Sequence, residues 1–184
     1  MRYLVALGAN LPSVWGAPEE TLREATRRIA VLGEVAADAG IFETPAFPPG
    51  SGPAYANGAL ALESALSPQA LLDGLHRIEA EAGRVRGVRW GARTLDLDLI
   101  AAGDTILPDR ATVERWMALG PDEAARRLPD RLILPHPRLH ERAFVLVPLA
   151  KVAPGWVHPI LGQDVATLLG RLAPEERASI RDWP

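Results

Sequence analysis

Two aspartates, Asp96 and Asp98, stand two residues apart in the strictly alternating run 95–99. Alternation of apolar and acidic residues predicts a β-strand with one apolar face and one acidic face, so both carboxylates would project from the same face. Mg²⁺ binds carboxylates in this arrangement together with substrate phosphates. The solvent-exposed face of an amphipathic strand explains the same alternation, and the pair taken alone favours this simpler interpretation.

An arginine cluster directly precedes the two acids, within ten residues that contain no acid: Arg84, Arg86, Arg89 and Arg93. Guanidinium groups bind phosphate oxygens bidentately and stay charged, and the glycines at 83, 87 and 91 would let the segment fold over a ligand. An isolated cluster is more often a solvated loop or a nucleic-acid contact. Arginines beside paired carboxylates instead suit a nucleotide polyphosphate with its Mg²⁺. Trp90 could stack on a planar heterocycle or pack under the loop.

His136 and Arg142 lie six residues apart around a proline-bounded segment. A lone histidine is usually structural, and a pair that faces phosphate is the alternative. The common nucleotide-binding motifs are absent: the only lysine, Lys151, is followed by valine and cannot complete a Walker A loop. The sequence also lacks His-Glu-x-x-His and Gly-x-Ser-x-Gly. Any use of ATP would therefore occur outside the common nucleotide-binding folds.

Composition indicates an ordinary globular protein. The 184 residues are 48% hydrophobic and 23% charged, with a net charge of −3, which argues against a general nucleic-acid binder. The absence of cysteine excludes disulfides and thiolate metal sites. No apolar leader opens the sequence, and no stretch reaches the length of a membrane span. We expect one domain over residues 1–184, a cytoplasmic monomer with neither membrane nor nucleic acid as partner.

The elements that must position these residues follow from periodicity and from glycine and proline. We predict strands over residues 2–8, 34–43, 55–65 and 95–99, and helices over residues 18–32, 68–82, 112–128, 142–149 and 164–172. Four prolines and two glycines after Thr44 predict an irregular segment, which in a compact domain is often functional. This order of elements predicts an α+β domain with a largely antiparallel sheet.

The run from Arg89 to Leu99 closely resembles the signature R-W-G-x-R-x-x-D-x-D of the 6-hydroxymethyl-7,8-dihydropterin pyrophosphokinase family. Other blocks match this family in order: Gly8-Ala9-Asn10, Thr44-Pro45, Tyr55-Ala56-Asn57, Arg77-Ile78-Glu79, Leu134-Pro135-His136 and Arg142-Ala143-Phe144. The resemblance spans nearly the whole chain. It implies a ferredoxin-like α+β fold with helices packed on the faces of a largely antiparallel sheet.

The resemblance also implies an activity, namely transfer of pyrophosphate from ATP to the hydroxymethyl group of 6-hydroxymethyl-7,8-dihydropterin in folate biosynthesis. ATP would be the co-substrate, and two Mg²⁺ ions would be held by Asp96 and Asp98. By position, these two acids together with Arg84 and Arg93 resemble the catalytic residues. The family's ATP contacts match Glu79, Arg84, Arg93, Leu99, Arg131, His136 and Arg142. Its pterin pocket matches Thr44, Pro45, Phe47, Tyr55, Asn57, Trp90 and Phe144.

The sequence departs from the family pattern at three places. Ala9 replaces a common serine, the loop between Arg86 and Arg89 is one residue shorter than in another member, and residues 108–130 resemble an insertion of about twenty residues. An arginine-rich module that binds single-stranded nucleic acid is the rival interpretation, because Trp90 could stack a base. The two aspartates disfavour it, since carboxylates repel a phosphate backbone.

We expect the insertion, residues 108–130, to pack outside the catalytic face. Replacing it by a short loop should then leave the activity intact, which a turnover assay on the folded deletion variant would measure. Loss of catalysis in a deletion variant that still folds would contradict this placement.

Overall fold

A computed structural model describes residues 1–45, 52–83 and 94–184. Six strands form one sheet: β1 (Arg2–Ala9), β2 (Glu34–Asp38), β3 (Phe42–Thr44), β4 (Tyr55–Glu63), β5 (Asp96–Ala102) and β6 (Arg181–Asp182). Their order is β5-β1-β4-β3-β6, and β2 pairs with β4 next to β3. Every pairing between these described strands is antiparallel, so the predicted α+β class with a largely antiparallel sheet is confirmed.

Helices cover both faces of this sheet. They are α1 (Pro18–Ile29), α2 (Pro68–Glu81), α3 (Arg110–Met117), α4 (Pro121–Arg126), α5 (Ala143–Val152), α6 (Val165–Arg171) and α7 (Pro174–Ala178). Side chains of α1 and α2 pack with alternate residues of β1, such as Val5, while α5 and α6 pack on the other face with residues such as Leu4. No helix in the described part of the chain has the length and apolar character that crossing a membrane requires.

Helix starts follow local sequence signals. The Ser67 hydroxyl accepts a hydrogen bond from the Ala70 backbone N–H (3.3 Å) ahead of α2, and Pro68 occupies the first turn, where its missing N–H costs nothing. Asp164 caps α6 in the same way, since its Oδ1 atom accepts a hydrogen bond from the Thr167 backbone N–H (2.7 Å). Such caps typically contribute about 1 kcal/mol each.

The predicted strand over residues 34–43 is wrong in one respect, because the chain turns in its middle. Gly40 has a φ of +78°, and its N–H donates to the Asp38 carboxylate (2.8 Å). Glycine adopts this left-handed conformation without the steric cost that a side chain would add. Two separate strands result, and β3 reaches the end of β4 that carries Tyr55 and Asn57.

The predicted helix over residues 112–128 is also divided. Asp109 caps α3, because its carboxylate accepts a hydrogen bond from the Thr112 backbone N–H (2.8 Å). Gly120, which follows α3, has an extended backbone ahead of Pro121. A proline disfavours helical backbone at the residue before it, so the helix restarts as α4. Val113 is fully buried, and Arg110 donates to the Pro159 carbonyl (2.9 Å), so α3 is attached to the body of the protein.

A buried imidazole organises the loop between α5 and α6. His158 is fully buried, and its Nδ1 atom accepts hydrogen bonds from the backbone N–H groups of Ile160 (3.1 Å) and Leu161 (3.3 Å). Burial, with a smaller contribution from His140, lowers the pKa of His158 to about 4. The ring is therefore neutral at pH 7, with its proton on Nε2.

His158 should make the stability of the fold depend on pH. Its folded-state pKa of about 4 lies below the usual 6.5, so the unfolded chain takes up the proton first as the pH falls. The full stability is present above about pH 6.5, and at most about 3 kcal/mol is lost between pH 6.5 and pH 4. His158→Asn keeps an acceptor near the Nδ1 position and cannot titrate. Urea unfolding at pH 7 and pH 4 should show a smaller loss for this variant, and equal losses would contradict the assignment.

Candidate active site

The two aspartates project from one face of the sheet, as the sequence predicted. In the pairing of β5 with β1, Asp96 lies opposite Gly8 and Asp98 lies opposite Ala6. Gly8 is in turn opposite Asn57 on β4. Directly opposed residues of antiparallel strands share a face, so Asp96, Gly8 and Asn57 form one row across three strands. This row faces α5, because the neighbouring Ala6 belongs to the core cluster that α5 covers.

Gly8 keeps this row free of a side chain between the acid and the amide. A Cβ atom at position 8 would lie 3.1 Å from Asn57 Oδ1, closer than an ordinary van der Waals contact. A larger residue would displace the Asn57 amide. The lack of a side chain at Gly8, in the Gly8-Ala9-Asn10 block, therefore has a steric explanation: it leaves room for the Asn57 amide.

Glu79 holds β5 from the opposite face of the sheet. Its carboxylate is buried on α2, and Oε1 accepts a hydrogen bond from the Leu97 backbone N–H (2.8 Å), midway between the two aspartates. Leu99, two residues further on, packs its side chain into the core with α1 and α2. Any contact of Leu99 with a nucleotide would therefore come from its backbone.

His136 and Arg142 flank the acids. The His136 backbone N–H donates to the Ile100 carbonyl (2.8 Å), which ties this segment to β5. The His136 Nδ1 atom accepts from the Arg138 N–H (3.2 Å), so the neutral ring presents Nε2–H as a donor. Burial first, and the charge of Arg142 second, lower the pKa of His136 to about 3, whereas Asp96 opposes this shift. At neutral pH His136 can therefore donate a hydrogen bond but carries no charge.

Arg142 supplies the positive charge of this group. Its Nη1 atom lies 4.0 Å from Asp98 Oδ2, and its guanidinium lies 5.7 Å from the ring centroid of Phe144. Burial lowers the pKa of Arg142, and Asp98 opposes that shift, but a guanidinium remains charged at neutral pH. Because Arg142 immediately precedes α5, the same short segment brings a cation and an aromatic ring to the acidic row.

Three residues assigned to the pterin pocket, Thr44, Tyr55 and Asn57, lie on β3 and β4. The Asn57 amide donates to the Thr44 hydroxyl (2.7 Å), and both side chains are buried. Tyr55 lies opposite Thr44, and Phe42 lies opposite Asn57. Sequence reasoning missed the buried Phe42, because residues 34–43 were treated as one continuous strand. A strand starting at Phe42 would have placed residues 42 and 44 on the same face.

Three further predicted site residues are exposed. Arg131 forms an exposed ion pair with Asp130 (3.1 Å), and Pro45 is exposed directly after β3. Phe144 is 40% exposed at the start of α5. Four predicted site residues lie outside the residues that the structure describes: Phe47, Arg84, Trp90 and Arg93.

The two carboxylates fit Mg²⁺ better than a metal enclosed by protein ligands. Within residues 1–45, 52–83 and 94–184, no three His, Cys, Asp or Glu side chains converge on a common point. Mg²⁺ commonly takes one or two carboxylates and completes its octahedron with water and substrate phosphates. Asp98 keeps 37% of its side chain exposed, so its oxygens remain accessible to such an ion.

Comparisons with known proteins agree on one family. A family model described as 7,8-dihydro-6-hydroxymethylpterin-pyrophosphokinase matches residues 4–154. Three relatives bear the name 2-amino-4-hydroxy-6-hydroxymethyldihydropteridine pyrophosphokinase. The Synechocystis protein is 37% identical over 90% of this chain and 73% of its own length. The Haemophilus influenzae protein is 36% identical over 84% and 83%, and the Pseudomonas aeruginosa protein is 38% identical over 83% and 81%.

A solved structure supports the fold independently. The Plasmodium falciparum HPPK-DHPS chain superimposes with a TM-score of 0.63 over 92% of this chain, at 12% identity, and this chain spans 44% of that longer one. At such low identity the likeness shows the fold alone, and it confirms the ferredoxin-like arrangement of sheet and helices. The family match and the three relatives carry the assignment further: the chain belongs to the 7,8-dihydro-6-hydroxymethylpterin-pyrophosphokinase family.

Proposed function

We propose that this chain transfers pyrophosphate from ATP to the hydroxymethyl group of 6-hydroxymethyl-7,8-dihydropterin and releases AMP, a step of folate biosynthesis. The family match and the names of the relatives support this activity. The structural observation that carries the proposal is the row formed by Asp96, Gly8 and Asn57. It places the proposed metal-binding acid and the proposed heterocycle-binding amide on one face of the sheet.

Asp96 and Asp98 are the proposed ligands of two Mg²⁺ ions. Bound there, Mg²⁺ would neutralise phosphate charge and lower the pKa of the attacking hydroxyl group. Glu79 has a positioning role in this scheme, because its hydrogen bond to the Leu97 N–H fixes the backbone between the two ligands. The side chains of the two acids thus start from a strand that is held on both edges, by β1 and by Glu79.

The nucleotide would lie on the side of Arg142 and His136. Arg142 contributes a charged donor for phosphate oxygens, and His136 contributes the neutral Nε2–H donor described above. Arg84 and Arg93 would add guanidinium groups to the triphosphate and stabilise the charge that develops on the leaving AMP. Arg131 and the Leu99 backbone complete the proposed nucleotide contacts.

The pterin would bind over β3 and β4. Asn57 and Thr44 offer a hydrogen-bonded amide and hydroxyl to the polar edge of the heterocycle, and Tyr55 and Phe144 offer aromatic surface. By family resemblance Pro45, Phe47 and Trp90 complete the pocket. Two strand spacings, about 10 Å, separate Asn57 from Asp96 along the row. A pterin whose polar edge is held at Asn57 would therefore point its hydroxymethyl arm toward the acids.

The reaction would consist of attack by the substrate hydroxyl on the β-phosphorus, with cleavage of the bond to AMP. The protein's own contribution is orientation of both substrates on one sheet face and electrostatic stabilisation by arginines. The rival assignment as a module for single-stranded nucleic acid gains no support from the family match or the relatives. Incubation with ATP, Mg²⁺ and the reduced pterin, followed by chromatography for AMP, tests the activity directly.

Asp98→Ala should abolish Mg²⁺-dependent AMP release while the fold remains intact. The loss of kcat should be on the order of 10² to 10³ or more, as for other preorganised electrostatic groups. Thermal unfolding should change little, since Asp98 is partly exposed. Asp104→Asn is the matched control, because this exposed acid lies just beyond β5 and outside the row. Full activity of the Asp98 variant would overturn the metal assignment.

Asn57→Ala should weaken binding of the pterin and spare binding of ATP. Loss of a buried polar contact to a ligand costs about 1 to 3 kcal/mol, so the KM for the pterin should rise about tenfold to a hundredfold. The KM values for both substrates, measured separately, check this expectation. Ser67→Ala removes a remote helix cap and should lower stability without changing either KM. If the KM values for both substrates rose equally in Asn57→Ala, the assignment of the Asn57 amide to the pterin pocket would be contradicted.

A further inference from the structure

The strand that carries Thr44 is short and lies between two other strands. β3 is three residues long, and its principal contacts with described elements are to β4 on one side and β6 on the other. Helix α1 packs on β1 and β4, whereas a half-open cavity of about 530 Å³, lined by Leu22, Ile41 and Trp183 among others, lies beside the turn into β3. The position of β3 therefore depends on its two strand partners.

β6 and Trp183 form the second of these partners. Asp182 pairs with Phe42, Arg181 pairs with Glu43, and the Trp183 backbone N–H donates to the Ile41 carbonyl (2.9 Å). The Trp183 side chain is partly buried against the core formed with α1 and α2. This segment, residues 181–183, is named the C-terminal clamp. It lies beyond the region matched by the family model, which ends at residue 154.

The C-terminal clamp is one strand away from Asn57, whose amide is the proposed pterin contact. Asp182 and Asn57 flank the same residue, Phe42, from opposite sides of β3. Two residues further along β3, Thr44 accepts the hydrogen bond from Asn57. We infer that the C-terminal clamp is a positioning element for the pterin pocket: it holds β3 in register so that Thr44 and Asn57 present a fixed pair of polar groups. This inference rests on the function proposed above.

The physical reason is the weakness of a short edge strand. Without the clamp, β3 would be a three-residue edge strand with one partner, and such pairings open locally at a small free-energy cost. Local opening of the β3 pairing would increase the positional variation of Thr44 and lower the fraction of molecules that can bind the pterin. Asp96 and Asp98 lie on β5 at the far edge of the sheet, separated from β3 by β1 and β4. Loosening β3 should therefore affect the pterin and spare the nucleotide and the metal.

Two kinds of variant test the clamp: a chain ending after Ile180, and Trp183→Ala with Trp183→Phe as the conservative partner. For the truncated chain and Trp183→Ala we expect the KM for the pterin to rise about tenfold, with kcat and the KM for ATP within about twofold of wild type. Trp183→Phe should restore most of the pterin affinity. Hydrogen exchange of the amides of residues 41–44 should accelerate in the first two variants and stay slow in Trp183→Phe.

Asp164→Ala is the control for general destabilisation, because it removes the cap of α6, away from β3. It should lower the unfolding temperature without separating the two KM values. An equal rise of both KM values, or an unchanged KM for the pterin with faster exchange, would overturn the inference. If the truncated chain does not fold, the Trp183 variants decide. A wild-type chain that releases no AMP would instead contradict the proposed function, so the two failures are distinguishable.

Discussion

Antiparallel pairing of β1 with β4 and with β5 is the constraint on which the candidate site depends. It fixes the register that sets Asp96, Gly8 and Asn57 side by side. A slip of one residue in either pairing would turn the acids or the amide to the opposite face, where α1 and α2 form the core. The apolar residues that alternate with the acids and the amide, such as Leu97 and Leu60, make that slip costly because they would lose their burial.

Arg142 and His136 differ in their electrostatic character. Arg142 carries a permanent charge next to Asp98, whereas His136 is neutral and donates through Nε2–H, because its Nδ1 atom accepts from the Arg138 N–H. A site that relied on a protonated histidine would lose affinity for phosphate as the pH rose. Here the charge resides on a guanidinium, which is insensitive to pH across the working range. The neutral imidazole adds a directional donor to this group without adding a titratable charge.

Sequence reasoning predicted the long elements and the shared face of Asp96 and Asp98 because both rest on local periodicity. The alternation around Asp96 and Asp98 determines which way the carboxylates point, and Ser67-Pro68 determines where α2 begins. It missed the division at Gly40, since the sequence does not reveal the φ angle of a single glycine, and Phe42 was missed with it. It also missed β6, because a two-residue strand has no periodicity and exists only through its pairing with β3.

The hydrogen bond from the Leu97 backbone to Glu79 links the two faces of the sheet. Helix α2, which packs on the sheet face opposite the acids, thereby fixes the backbone of the segment that bears both of them. Substitutions along the inner side of α2, where Leu71, Leu75 and Ile78 are buried, should consequently shift the backbone that carries both acids. Changes in the hydrophobic interior can thus reach the two carboxylates without altering any residue of the row itself.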